Sequence, residues 1–254
     1  MLNFPEEQHN IEIQQNLSYW EKKIVLKKIY KSFYNLIIEN VNFSLDGLIV
    51  EIGSGIGNLK SVIPQALCTD IFQNPWIDQV ENAYNLSFTK ETISNLILFD
   101  VWHHLQYPGN ALNEFKRVLK PNGRIIIFDP DISLLSFIVY GLFHHEPIGY
   151  RKKIKWFAPS HLNYKDFAYY AAQGNANRIF CSNKYDKLLS NWKRIHVKHI
   201  TSVSYIASGG YSKPQLYPKC FLPFMNFIDH LLSKFPLLFA TRLLVVLEKK
   251  PYRI

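Results

Sequence analysis

The stretch GLIVEIGSGIGNLK, from Gly47 to Lys60, constrains the fold of this chain more than any other. An apolar run of strand length, Leu48 to Ile52, meets three glycines and then a helix expected from about Asn58 to near Pro64. Glycines let a backbone turn sharply and approach a ligand where a Cβ would collide. A helix N-terminus behind such a turn presents free N–H groups. A dinucleotide fingerprint is spaced G-x-G-x-x-G, whereas Gly53, Gly55 and Gly57 are spaced G-x-G-x-G. Glu51, just before them, would repel a pyrophosphate and suits a ligand with an ammonium group. Asp70 closes the next short strand, QALCTD, where a carboxylate can accept both hydroxyls of a ribose.

Strand and helix patterns alternate from there. WIDQVENA reads as a third strand, and ISNLILFD as a buried strand ending at Asp100. ALNEFKRVLK is an amphipathic helix closed by the turn PNG, and GRIIIFDP is the next strand. This order predicts a doubly wound, Rossmann-like, mostly parallel sheet of seven strands in three αβα layers. Beyond Pro130, Ile132 to Phe143 reads as an apolar helix, and His144 to Asn183 as an inserted segment rich in aromatics. Arg194 to Ile206 reads as a strand, Leu222 to Phe235 as a helix, and Thr241 to Lys250 as a closing antiparallel strand. Residues 1–15 read as a loose lead-in. Residues 17–40 read as one helix that buries Trp20, Ile24, Ile29, Phe33 and Ile37 and turns Lys22, Lys23, Lys27, Lys28 and Lys31 to solvent. The expected division is a helical lead-in over 1–44 and a main domain over 45–254, with accessory segments at 132–190 and 207–240.

Residues 45–131 resemble the class I S-adenosylmethionine-dependent methyltransferases, specifically the type 11 methyltransferase domain. The resemblance rests on EIGSGIG followed in register by VENAYNLSF, LILFDVWHHL and EFKRVLKPNGRIIIFDP. It implies that Gly53, Gly55 and Gly57 frame the methionine part of the cofactor, that Glu51 holds its amino group, and that Asp70 binds the ribose. Ile71 would pack beside the adenine. Asn82 and Ala83 stand where the family usually has an acid and an alanine, so Asn82 would accept from the adenine amino group through its amide oxygen. Asp100 and Val101 would sit beside the reactive methyl. The helix that usually follows the second strand is replaced by IFQNPWIDQV, and Trp76 is a candidate cover for the adenine. FHHEP, GNAN and SYIASGG resemble accessory segments of a bacterial subgroup.

Methyl transfer to oxygen asks chiefly for positioning, with a base near neutral pKa, for which histidine is the natural choice. His104 and His145 are the candidate catalytic residues, with Glu146 as a further substrate contact; paired histidines such as His103 and His104 also serve as packing residues. Asp129 and Asp131 would orient a substrate hydroxyl or cap the next helix. No metal site is expected, because neighbours such as His144, His145 and Glu146 rarely share one ion.

The formal net charge of +9 favours anionic partners. Nucleic acid is disfavoured, because no recognition module is present and FDVW follows the fourth strand where amino-methylating enzymes carry an asparagine-proline-aromatic tetrad. The reading is therefore transfer to a small acceptor, most simply O-methylation of a sugar-, lipid- or metabolite-type molecule. The alternatives are a nucleic-acid methyltransferase or a non-catalytic cofactor-binding protein of the same fold. The three cysteines, Cys68, Cys181 and Cys220, are widely spaced and read as buried thiols in a reducing cytosol. No signal peptide and no apolar run of the ~18 residues needed to span a bilayer is seen. A cytoplasmic location is expected, with peripheral contact to an anionic membrane through the apolar stretches 134–143 and 221–239.

Overall fold

A computed structural model describes residues 6–143, 146–150, 152–160 and 170–251. The N-terminal region is two helices, α1 (Glu6–Lys22) and α2 (Ile24–Ile38), so helical structure begins well inside the expected lead-in. The break is at Lys23, whose backbone is extended (φ −103°, ψ 93°). Its side chain explains the break. Expected on a solvated face, it is buried, and its ammonium donates to the carbonyls of Ser208 (3.2 Å) and Gly210 (2.6 Å) and to that of Lys213. Turning Lys23 inward shifts the phase of the following helix. Ile24 points out, 52% exposed, while Ile29, Phe33 and Ile37 are buried as expected.

The strands follow as β1 (Leu48–Ile52), β2 (Leu67–Asp70), β3 (Gln79–Val80) and β4 (Ile93–Phe99). Then come α3 (Pro108–Val118), β5 (Leu119–Pro130), α4 (Leu134–Phe143), α5 (Asn175–Phe180), β6 (Trp192–Thr201), α6 (Val203–Ala207), α7 (Leu222–Leu232), α8 (Pro236–Phe239) and β7 (Ala240–Lys249). The sheet order is β3-β2-β1-β4-β5-β7-β6. Every pair is parallel except those of β7, which runs against both β5 and β6. The expected seven-stranded, doubly wound sheet with an antiparallel strand is what forms.

Alternation along the strands builds two cores. Val50, Ile52, Leu96, Leu98, Ile125 and Ile127 face one side, against α3 and α5. Ile49, Ile97, Phe99, Ile126 and Phe128 face the other, against α2. The third strand is only two residues long, against the eight expected. The helix expected from Asn58 to Pro64 is one 3-10 turn, Asn58–Ser61. Gly57 enters it in the left-handed region (φ 65°) and Pro64 follows closely, which leaves too few residues for an α-helix. The expected strand 194–206 ends at Thr201 and is followed by α6, and the expected helix 222–235 is α7, which stops at Leu232, with the short α8 beginning beyond it at Pro236.

Asp131 ties the far side of the sheet together. Its fully buried carboxylate accepts from Ile132 N (2.8 Å), Asn177 Nδ2 (2.6 Å) and His199 Nδ1 (2.6 Å). It does not cap α4; Ser133 does, its hydroxyl accepting from Ser136 N at 3.1 Å. Bonding to Asp131 raises the His199 pKa from 6.5 to about 10, and the titratable groups that face this ring are Asp131 and Cys181. A pKa raised on folding contributes stability that is full below the unfolded value and is lost as pH rises through the folded value. The contribution is therefore complete below about pH 6.5 and gone above about pH 10. Urea midpoints measured across that window should fall less in His199→Ala than in the parent; parallel curves would remove the ion pair from the stability of the fold.

Candidate functional site

The strand order reverses between β1 and β4, and the C-terminal edge there is where doubly wound sheets hold ligands. The glycine turn lies at that edge. Gly55 (φ 54°) faces open space, with nothing within 4 Å of where a Cβ would stand. Gly57 is the opposite case, since a Cβ would lie 2.5 Å from the Trp76 carbonyl oxygen. The Asn74–Trp76 turn therefore packs against the glycine loop, held by Asn74 Oδ1 accepting from Trp76 N at 2.9 Å. This turn fills the place of the missing helix, and Trp76 is half-buried in it.

Two acids meet the loop from below. Asp70, at the end of β2, accepts from Gly55 N (2.8 Å) and Ile71 N (2.7 Å). His9 of α1 approaches the same carboxylate, with Nε2 3.3 Å from Oδ1, and its ring packs edge-on against Phe72. Burial acts to lower the His9 pKa, but Asp70 prevails and raises it. Glu51 is 3% exposed, and its carboxylate meets the side chains of Ser54 and Cys68, whose thiol lies 3.7 Å from Oε2. Burial raises its pKa to about 7, and no cation pairs with it among the described residues.

The remaining predicted positions line the same edge. Ile71 is 46% exposed. Asn82 Oδ1 accepts from Tyr84 N at 2.9 Å, so the amide oxygen expected to face an adenine also shapes its own turn; Ala83 is buried behind it. Asp100 has left-handed backbone (φ 57°), which lifts its side chain off the end of β4. There it pairs with Arg242 of β7, whose guanidinium lies 4.4 Å from the centre of the Tyr205 ring. Burial raises the Asp100 pKa against the pull of Arg242.

A polar cluster follows in the 3-10 turn Trp102–His104. His103 is buried, with Nδ1 2.9 Å from Asp129 Oδ1 and Nε2 3.3 Å from Glu146 Oε2. Burial opposes charge on His103, but the two carboxylates prevail and raise its pKa to about 10. His104 behaves oppositely. Burial and the neighbouring imidazolium lower its pKa to about 4. Its Nδ1 lies 3.0 Å from the Tyr170 carbonyl and therefore carries the proton, which leaves the Nε2 lone pair facing Glu146 Oε1 at 3.6 Å. Gln173 Nε2 donates to Glu146 at 2.8 Å, and Ala172 N donates to the His103 carbonyl at 3.0 Å. His103, His104 and Glu146 carry ligand atoms within 4.8 Å of one another, a spacing a metal ion could share. His103 is held as an imidazolium by the two carboxylates, which leaves its ring no lone pair for an ion, and in that state the cluster works as a hydrogen-bonded network. His144 and His145 lie outside the described residues.

The structure brings Glu51, the glycines, Asp70, His104 and Glu146, all expected from the sequence, to one edge. Sequence reasoning missed His9, which sits in the supposed lead-in, and it gave Asp129 and Gln173 no part in holding histidine and Glu146. Arg242 carried a signal that went unread, since a charge inside an otherwise apolar closing strand needs a partner.

The methyltransferase domain family, type 11, matches residues 50–127. These residues are a methyltransferase domain. The chain is thus a methyltransferase that uses S-adenosylmethionine. Solved structures with the same fold include a SAM-dependent methyltransferase from Archaeoglobus fulgidus, at 13% identity and TM-score 0.53 over 87% of this chain and 94% of that one. Another is geranyl diphosphate C-methyltransferase from Streptomyces coelicolor A3(2), solved with Mg2+, geranyl diphosphate and S-adenosyl-L-homocysteine. It shares 10% identity and a TM-score of 0.52 over 88% of this chain and 80% of that one. No curated protein matches significantly in sequence. The residues present fit the cofactor. The open space at Gly55 would accommodate an amino-acid moiety, and the buried Glu51, with no cation beside it among the described residues, would suit its ammonium group.

Proposed function

We propose that this methyltransferase acts on a small acceptor, most simply at oxygen, and that the Glu51–Gly55–Asp70 edge holds its cofactor. The observation that carries the reading is Glu51, a buried carboxylate with no cation among the described residues, beside a glycine turn with open space above it. Gly53, Gly55 and Gly57 frame the methionine end, Glu51 takes its ammonium group, and Asp70 takes the ribose hydroxyls. Ile71 packs on the adenine, with Asn82 and Ala83 at its far rim. Asp100, fixed by Arg242, stands by the reacting centre.

S-adenosylmethionine supplies an electrophilic methyl group. The protein's own work is to orient the acceptor and take its proton. His104 is the residue for the second task, because its Nδ1 faces the Tyr170 carbonyl and its ring is neutral at neutral pH. A low basicity limits how long it keeps that proton, and Glu146, 3.6 Å away, is the next acceptor. His103, locked between Asp129 and Glu146, positions that carboxylate. His145 is a second candidate on the same segment as Glu146. A nucleic-acid acceptor or a binding role without catalysis is the competing reading, and both lack a supporting feature at this edge.

One surface favours placing the enzyme against an anionic membrane. α4 turns Leu134, Phe137, Ile138 and Leu142 outward, and Phe221, Phe224, Phe227 and Leu231 form an outward stripe along α7. Phe224 is 56% exposed, and Leu237 in α8, which packs on α4, is 81% exposed. Exposed lysines flank both segments: Lys213, Lys219 and Lys234 on one, Lys152, Lys153 and Lys155 on the other. Their acids turn inward, Asp229 to Ser204 and Glu146 to Gln173. A second copy would bring the same positive rim, whereas anionic lipid complements both its charge and its apolar centre. No helix among the described residues is long and apolar enough to cross a bilayer.

Calorimetry should show binding of S-adenosylmethionine or its demethylated product and no binding of NAD, with Asp70→Ala weakening the affinity by about 1–3 kcal/mol; an unchanged affinity would remove Asp70 from the ribose site. His104→Ala should lower turnover by about 100-fold with cofactor affinity kept, and full activity would leave His104 structural. In vesicle flotation the protein should rise with phosphatidylglycerol and not with phosphatidylcholine, and Phe224→Glu with Leu237→Glu should abolish this; absence of flotation, or a stable dimer in light scattering, would overturn the membrane assignment.

A further inference from the structure

The expectation that all three cysteines are buried holds only for Cys68; Cys181 and Cys220 are exposed. The two exposed thiols differ in their surroundings. Cys181, just after α5, lies 3.9 Å from His199 Nε2. The other nitrogen of that ring, Nδ1, lies 2.6 Å from Asp131 Oδ2. Asp131 is itself immobilised, fully buried and bonded through Oδ1 to Ile132 N and Asn177 Nδ2. Three elements contribute: the segment after β5 supplies the acid, β6 the imidazole, and the end of α5 the sulfur. A nucleophile, a ring within reach of it, and an acid that orients the ring are the parts of an activated thiol. None of the three serves the methyl-transfer edge described above.

We propose that Cys181, His199 and Asp131 form a reactive-thiol site whose ligand class is the soft electrophile, and in particular the disulfide. The buried Asp131 keeps His199 as an imidazolium, which donates from Nε2 toward the sulfur and favours the thiolate. The thiol proton goes to solvent. The thiolate then attacks one sulfur of an incoming disulfide. The incoming S–S bond breaks, a mixed disulfide forms on Cys181, and the departing sulfur leaves as a thiolate that takes a proton from water. Cys181 is oxidised in this exchange and the departing sulfur is reduced, so no other oxidant is needed. Modification places a new group where α5 meets β6, at the rim of the sheet edge that bears His103 and Glu146.

Cys220, a free and exposed thiol on the same chain, is the internal control. The test treats the whole protein with dipyridyl disulfide from pH 5 to 9 and follows each cysteine separately by peptide mass spectrometry. An ordinary thiol loses reactivity about tenfold per pH unit below its pKa, whereas an imidazolium-paired thiol keeps it. Allowing for the weaker intrinsic nucleophilicity of a stabilised thiolate, Cys181 should outpace Cys220 by about tenfold at pH 5.5. His199→Gln should bring Cys181 to the Cys220 profile while a Cys220→Ser background changes nothing at Cys181. Equal profiles for the two cysteines in the parent protein would overturn the proposal without any variant. So would an unchanged Cys181 profile in a folded His199→Gln protein.

Discussion

The link between Asp70 and the amide of Gly55 is the contact on which the rest of the candidate site depends. A carboxylate at the end of β2 reaches across to a glycine turn at the end of β1 and holds it open. The turn then has room above it, rests on the Asn74–Trp76 segment from the side, and hides Glu51 beneath. Because β1 and β2 pair in parallel, both strand ends arrive at the same edge, and one hydrogen bond is enough to set the relation of loop to acid. The 3-10 turn that follows provides much less of a helix N-terminus than usual, which leaves more of the ligand-binding task to side chains.

Electrostatic asymmetry organises the neighbouring cluster. Two adjacent histidines on one turn are driven apart in proton affinity, to about 10 for His103 and about 4 for His104. His103 is raised by lying between Asp129 and Glu146, while His104 is lowered by burial and by its charged neighbour. One ring is therefore a cation at neutral pH that fixes geometry, and the other a neutral ring. Separating the affinities of like groups is the usual way a site assigns opposite roles to them.

Much of this was legible in the sequence, for identifiable reasons. Apolar alternation in Leu48–Ile52, Ile93–Phe99 and Arg124–Phe128 reports two buried faces, and the glycine turn marks the end of the first strand. Asp70 and Asp100 were readable because each terminates such a run. What failed to show were effects that depend on distant partners. Lys23 breaks the N-terminal helix because three carbonyls some 190 residues away receive its ammonium. A polar N-terminal segment reads as loose until Asp70 is seen beneath His9. The exposure of α4 and α7 was likewise hidden, since an outward apolar stripe has the same period as an inward one. Cys181 and His199 meet only through the packing of α5 against the sheet.

The helix break at Lys23 has a thermodynamic consequence for the site. It makes α1 a separate arm, anchored at its C-terminal end by the buried ammonium and touching Asp70 through His9 at the other. Any ligand that requires the Asp70 oxygen near His9 competes with the protein's own side chain for it. Its apparent dissociation constant is then the intrinsic constant divided by the fraction of molecules in which that contact is open. Since Asp70 raises the proton affinity of His9, acid strengthens the internal competitor and alkali weakens it. An N-terminal arm of this kind sets a threshold concentration for occupancy that truncation of the arm would lower.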